Sequence, residues 1–215
     1  MKSNIRKGDS ETSPNTINDN HLLFIVTVII ILGGLWIPYI RPYFPSRDEP
    51  FFEFAILGEN GKADDYFPNN VPEVYFGEQI NWKIYIGNHM GKDEYVSIRL
   101  KLLNSTNSAP NSNKCTPSSG PVIHEFTEIL DNNETIIIPL SWSINSNEND
   151  VEYPNIDSIT VNDDLKEVNL SDNNSSYRVV IELWVYDSNL NTFQFGWETS
   201  DGERCAWNQI WFKTV

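Results

Sequence analysis

The chain has 215 residues, with 30 acidic against 15 basic side chains, a net charge of −15 and a mean hydropathy of −0.39. That balance disfavours nucleic acid and anionic lipid headgroups as partners and suits a solvated surface or an affinity for cations. Two cysteines are too few for a disulfide scaffold or a Cys-rich zinc site.

Residues 1–21 (MKSNIRKGDSETSPNTINDNH) are polar, of mixed charge and without apolar period, and read as a disordered tail. Residues 22–40 (LLFIVTVIIILGGLWIPYI) carry no charge. At about 1.5 Å of rise per residue they match the hydrocarbon thickness of a bilayer, which predicts one transmembrane helix. Trp36, Tyr39, Tyr43 and Phe44 gather at its C-terminal end, where amphipathic rings suit the headgroup region. The competing reading is a cleaved signal peptide, but the run is long for one and IPYIRPYFPS offers no small-x-small cleavage site. Lys2, Arg6 and Lys7 before the span nearly balance Arg41 and Arg47 after it, so the character of the following domain decides its side. Residues 41–50 hold Pro42, Pro45 and Pro50 and read as a semi-rigid stalk.

From Phe51 the period is two. FFEFAIL (51–57) is a strand. QINWKIYI (79–86) puts Ile80, Trp82, Ile84 and Ile86 on one face, and YVSIRLKLL (95–103) does the same with Val96, Ile98, Leu100 and Leu102. Ser97, Arg99 and Lys101 then face out. VIHEFTEIL (122–130) and TIIIPLSWSI (135–144) follow, the second with Ile136, Ile138, Leu140 and Trp142 aligned and with Pro139 arguing for a sheet edge. RVVIELWVY (178–186), TFQFGW (192–197) and AWNQIWFKTV (206–215) read as three closing strands, the first covered on both faces. Segments 104–121 and 145–176 are rich in Asn, Ser and Asp and read as long loops. The expectation for 51–215 is one all-β domain, an immunoglobulin-like antiparallel sandwich, with a jelly roll as the alternative.

FFEFAILGENGKADDYFP, with the later FGE and IGNH, resembles an archaeal family known as domain of unknown function 1616. The matching positions are Phe54, Ile56, Leu57, Gly58, Gly61, Lys62, Ala63, Tyr66, Pro68, Gly77, Glu78 and Asn88. The likeness spans about residues 51–104. It implies a membrane-attached, externally facing domain and supplies no catalytic residue.

No nucleophile motif, phosphate loop or HExxH signature is present, and no cofactor is expected. His89 and His124 each lack a second ligand at metal spacing. Asp187, Asn189 and Asn191 have the D-x-N-x-N spacing that can gather oxygens on calcium, although the same residues are ordinary hairpin-turn formers. Glu148, Asp150, Glu152, Asp163 and Asp164 read as a solvated acidic loop. Trp184, Trp197, Trp207 and Trp211 read as core, with an exposed stacking face as the other possibility. Sequons begin at Asn104, Asn133, Asn169, Asn173 and Asn174, all in expected loops or turns. In an oxidising compartment Cys115 and Cys205 are expected to pair. Closing a loop of about 90 residues would then contribute on the order of 4 kcal/mol.

The functional expectation is a non-enzymatic, single-pass anchored domain on the outside of the cell membrane, contacting a protein or the envelope. The alternative is an accessory subunit of a larger membrane complex, with Gly33 and Gly34 allowing close helix approach. An enzyme using paired carboxylates is the remaining class, and no constellation for it presents itself.

Overall fold

The computed structural model describes residues 49–147, 155–172 and 175–215, together with Leu23 and Thr27. The chain divides into two compact units, Met1–Arg47 and Asp48–Val215. In the first, Leu23 and Thr27 are helical, and the Thr27 hydroxyl donates to the Leu23 carbonyl at 2.8 Å. The remainder of the expected tail, span and stalk up to residue 48 lies outside the described residues. Among those described, no helix is long and apolar enough to cross a membrane.

The second unit is all-β and antiparallel but for one pairing. Its strands are β1 (Phe51–Leu57), β2 (Glu73–Val74), β3 (Ile80–His89), β4 (Glu94–Asn104), β5 (His124–Leu130), β6 (Thr135–Asn145), β7 (Ile156–Val161), β8 (Asp164–Leu170), β9 (Ser176–Asp187), β10 (Thr192–Gln194), β11 (Trp197–Thr199), β12 (Gly202–Arg204) and β13 (Ala206–Thr214). One sheet has the order β1-β3-β6-β7-β8 and the other β2-β13-β9-β4-β5, with β10 added to β9. Strand β2 runs parallel to β13, and β11 and β12 form a separate hairpin.

Alternation decides what lies between the sheets. Ile80, Trp82, Ile84 and Ile86 are buried, as are Val96, Ile98, Leu100 and Leu102, and Val179, Ile181, Leu183 and Val185. On β6, Ile138, Leu140 and Trp142 join them while Ile136 is half-buried. The register sets Ile80 against Trp142 and Ile84 against Ile138 in one sheet, and Ile98 against Leu183 in the other. A one-residue slip of β4 would turn four such side chains to the opposite face, so the pattern fixes the register. Each contributes roughly 1.5–3 kcal/mol of burial. This is the β-sandwich that the spacing predicts.

Three local expectations are corrected. Segment 145–176 is not a loop throughout: β7 and β8 form a hairpin there, with Ile156, Ile159 and Val161 wholly buried. Its turn residues Asn162 and Asp163 have φ of 46° and 68°, the two positive values a type I′ turn requires. A register shift between Ile156 and Ser158 breaks the alternation, which is why the period of two is invisible in IDSITV.

Pro139 does not mark an edge strand, because β6 lies between β3 and β7. Strand β7 reaches only Trp142–Asn145, however, and Asn162 takes over beyond it. Its side chain donates to the Pro139 carbonyl at 3.2 Å and accepts the Ser141 amide at 2.8 Å. The N–H and C=O of a strand residue point to the same side, so the donor Pro139 lacks would have pointed where no strand pairs. Finally, TFQFGW is two strands, β10 and β11, parted at Phe195 and Gly196.

Candidate functional site

The chemistry-bearing side chains gather on the face of the β13-β9-β4-β5 sheet that points away from the core. Alternation sends Arg99 and Lys101 of β4, Arg178, Glu182 and Trp184 of β9, and Trp207 and Trp211 of β13 to that side. The expectation that Ser97 and Lys101 meet water is corrected: Ser97 is fully buried, and the Lys101 and Glu182 side chains are 4% and 0% exposed. Over Lys101 and Glu182 the covering layer is the 105–121 loop.

Two buried charges persist only when paired and hydrogen-bonded. Lys101 Nζ lies 3.1 Å from Glu182 Oε2 and donates to the Ser118 carbonyl at 2.9 Å. The other carboxylate oxygen accepts the Ser118 amide at 2.7 Å and its hydroxyl at 2.6 Å, and Trp184 Nε1 donates to Oε2 at 3.1 Å. The loop is tied down elsewhere by Trp207 Nε1 to Ser112 Oγ at 3.1 Å and Arg178 to the Asn107 carbonyl at 2.6 Å. Beside this network stand Cys115, on the loop, and Cys205, between β12 and β13. The two thiols are unbonded. Burial pushes the Cys205 thiol up to about 12, helped by its contact with Cys115 and by the charges of Glu203 and Glu182.

Towards the other end the same face is open. The Arg99 guanidinium lies 4.0 Å above the Trp184 ring and 5.9 Å from Phe193, and its Nε is 2.9 Å from Glu125. The Ser97 hydroxyl donates to the same carboxylate. That hydrogen bond first, and Arg99 second, hold the Glu125 carboxyl below the usual range against a smaller opposing effect of burial than their sum. Tyr95 packs on Phe193 at 4.9 Å and Tyr186 at 5.5 Å, and Ile129 beside them is 70% exposed.

Of the tryptophans expected in the core, Trp197 packs there, edge-on to Phe52 at 5.2 Å. Trp184, Trp207 and Trp211 lie on the outer face instead, Trp211 beneath Arg178 at 4.6 Å. Their even and odd numbering on β9 and β13 carried that information.

Asp187, Asn189 and Asn191 close the β9–β10 hairpin. Asp187 Oδ1 accepts the amides of Asn189 at 2.8 Å and Leu190 at 3.3 Å, while Asn191 Oδ1 accepts the Tyr186 hydroxyl at 2.7 Å. No group of three metal-binding His, Cys, Asp or Glu occurs among the described residues. His89 and His124 stand in different sheets. The first lies 3.6 Å from Glu53 and 3.3 Å from Asn133, and the second 3.8 Å from Asp164. Asp163 belongs to the β7–β8 turn and Asp164 pairs with Lys166 at 3.0 Å, whereas Glu148, Asp150 and Glu152 lie outside the described residues.

Among the sequon residues, Asn133 is exposed in a turn, and Asn169 is exposed on strand β8 rather than in a loop. The Asn104 amide donates to the Ser171 carbonyl at 2.7 Å and its oxygen accepts from Thr106 and Asn107. Asn173 and Asn174 lie outside the described residues. The residues that carry the family resemblance build turns. A Cβ at Gly58 would stand 2.1 Å from the Asp64 carbonyl oxygen, so only glycine lets that loop fold back. The buried Asn88 amide donates to the carbonyls of Lys92, Leu130 and Asp131, fastening two turns at one end of the sandwich.

Sequence alone did not place the Lys101–Glu182 pair. The signal was a carboxylate inside RVVIELWVY, because a charge on a strand covered from both sides needs a partner.

No family model matches the chain, and no curated protein does. Among solved structures, the CARDB domain of a Pyrococcus furiosus protein, in complex with di-metal ions, is 10% identical with a TM-score of 0.37, over 78% of this chain and 90% of that one. A β-glucosidase of Listeria innocua, in complex with glucose, is 11% identical with a TM-score of 0.35, over 77% of this chain and 16% of the enzyme. The sporulation control protein Spo0M of Bacillus subtilis is 11% identical with a TM-score of 0.33, over 76% and 49%. At these scores none of them bears on what the chain does.

Proposed function

We propose that the chain is a single-pass membrane protein whose 51–215 domain stands outside the cell membrane and works by binding a protein or envelope partner. The uncharged run 22–40 supports the anchor, and the resemblance of residues 51–104 supports attachment and outward facing. An acidic domain, with 27 Asp plus Glu against 10 Lys plus Arg after Arg47, suits a solvated surface there. The strand order supports an immunoglobulin-like variant. Strands β1, β3 and β6 stand as A, B and E, strands β13, β9, β4 and β5 as G, F, C and C′, and the β7–β8 hairpin replaces strand D.

The observation that carries the binding reading is the open patch of Tyr95, Arg99, Trp184, Phe193 and Ile129. Arg and aromatic side chains held rigid by each other are the composition of interface hot spots. A photo-crosslinking residue at Ile129 in the full chain, in native membranes, is expected to form adducts that one at the exposed Leu165 on β8 does not. Equal labelling from both positions overturns the assignment. Protease added to intact cells is expected to remove the domain, and complete protection until lysis overturns its sidedness.

A further inference from the structure

We propose that Cys115 and Cys205 form a redox latch: oxidised, they bond the 105–121 loop down over Lys101 and Glu182, and reduction frees it. The latch goes beyond the binding reading and needs no partner. Only its oxidised state in the cell rests on the external placement.

The fold prepares the two sulfurs for each other. They come from segments about 90 residues apart, a long loop for one bond to close, and the fold brings those segments together at Gly196. Cys115 is held at φ 40° in the turn bridged by Asn111 and Thr116. Gly196 makes room for the approach. Its φ is 119°, and a Cβ there would lie 2.7 Å from the Arg204 carbonyl oxygen and 3.4 Å from Cys115 Cβ, wedged between the two partners. Neither thiol belongs to a metal-binding group among the described residues.

The loop also lacks the usual means of staying down. NSTNSAPNSNKCTPSSGP contains no large apolar side chain, so burial holds it weakly. Its fastenings are hydrogen bonds, yet one of them is the set that Ser118 gives to the buried ion pair. A covalent bond three residues from Ser118 supplies the missing constraint. In its absence the loop can lift and admit water to Lys101 and Glu182.

The chemistry is thiol–disulfide exchange with an external disulfide. One cysteine loses its proton and attacks the donor disulfide, expelling a donor thiolate. The second cysteine, deprotonated in turn, attacks the chain sulfur of the mixed disulfide and expels the other donor thiolate. The chain loses two electrons and two protons, and the donor is reduced to two thiols.

The test uses the full chain in detergent, either incubated with oxidised glutathione or kept reduced with dithiothreitol. Peptide mapping is expected to find the 115–205 link in the first sample alone. Amide exchange across Asn111–Ser119 is expected to be at least tenfold slower in the oxidised sample, with β9 unchanged. Acetylation of Lys101 by an N-hydroxysuccinimide ester is expected to be slowed by a similar factor. Cys205→Ser should match the reduced wild type under both treatments, and if that variant does not fold, the reduced wild type decides alone. Two alkylatable thiols after oxidised glutathione overturn the proposal. So does a formed bridge that leaves exchange and acetylation unchanged.

Discussion

Lys101 and Glu182 lie one strand apart with 3.1 Å between nitrogen and oxygen, and neither side chain reaches water. Removing one partner strands the other. Lys101→Met should therefore cost about 3–5 kcal/mol. The double variant with Glu182→Gln should recover part of that, because the amide oxygen still accepts from Ser118 while its NH2 opposes Trp184 Nε1. Chemical denaturation of the four proteins gives the coupling. Additive effects would show that the two charges do not depend on each other.

Ile98 and Arg99 are adjacent on β4 and point to opposite faces. Ile98→Asp should unfold the domain, since a buried unpaired charge costs several kcal/mol against a total stability of about 5–15. Arg99→Asp loses the stack on Trp184, and the new carboxylate faces Glu125, so it should cost about 1–2 kcal/mol. Thermal melts that coincide for the two variants would contradict the register.

Asn162 serves the turn and the neighbouring strand at once. Asn162→Gly keeps the positive φ and loses the bonds to Pro139 and Ser141, which should cost about 1 kcal/mol. Asn162→Ala loses both and should cost about 2 kcal/mol. Equal denaturation midpoints for the two would show that the left-handed backbone carries no cost.

Glu125 should make the domain sensitive to acid. Its carboxyl is held low in the fold, so its stabilisation is complete above the unfolded range near 4.5 and is lost as pH falls through the folded value. The gap in melting temperature between wild type and Glu125→Gln should be present at neutral pH and close below about 4.5. Salt should narrow it, because the carboxylate is half-exposed.

The rows of the core were legible because β3, β4, β6 and β9 keep a strict period of two and are long enough to show it. Strand β7 was not, since its irregularity places Ile156 and Ile159 on one side three positions apart. The covered face was half legible. Alternation told that Lys101 and Glu182 point away from the core, but not that a polar loop would lie on them, because NSTNSAPNSNKCTPSSGP carries no apolar pattern to announce docking. The Asp187 hairpin shows the converse: one spacing serves a cation or a turn, and here the backbone amides of Asn189 and Leu190 take Asp187 Oδ1 while the Tyr186 hydroxyl takes Asn191 Oδ1.

Strands β8 and β5 end the two sheets on the side where His124 meets Asp164. Strand β8 carries Asp164, Lys166 and Glu167 on its exposed length and turns left-handed at Asn169, with φ 48°. Strand β5 presents Glu125 and Glu128. A bent, charged border repels an incoming strand from either sheet. Neighbouring copies of the chain therefore do not zip together along these margins, and a partner that pairs by strand addition finds no template there.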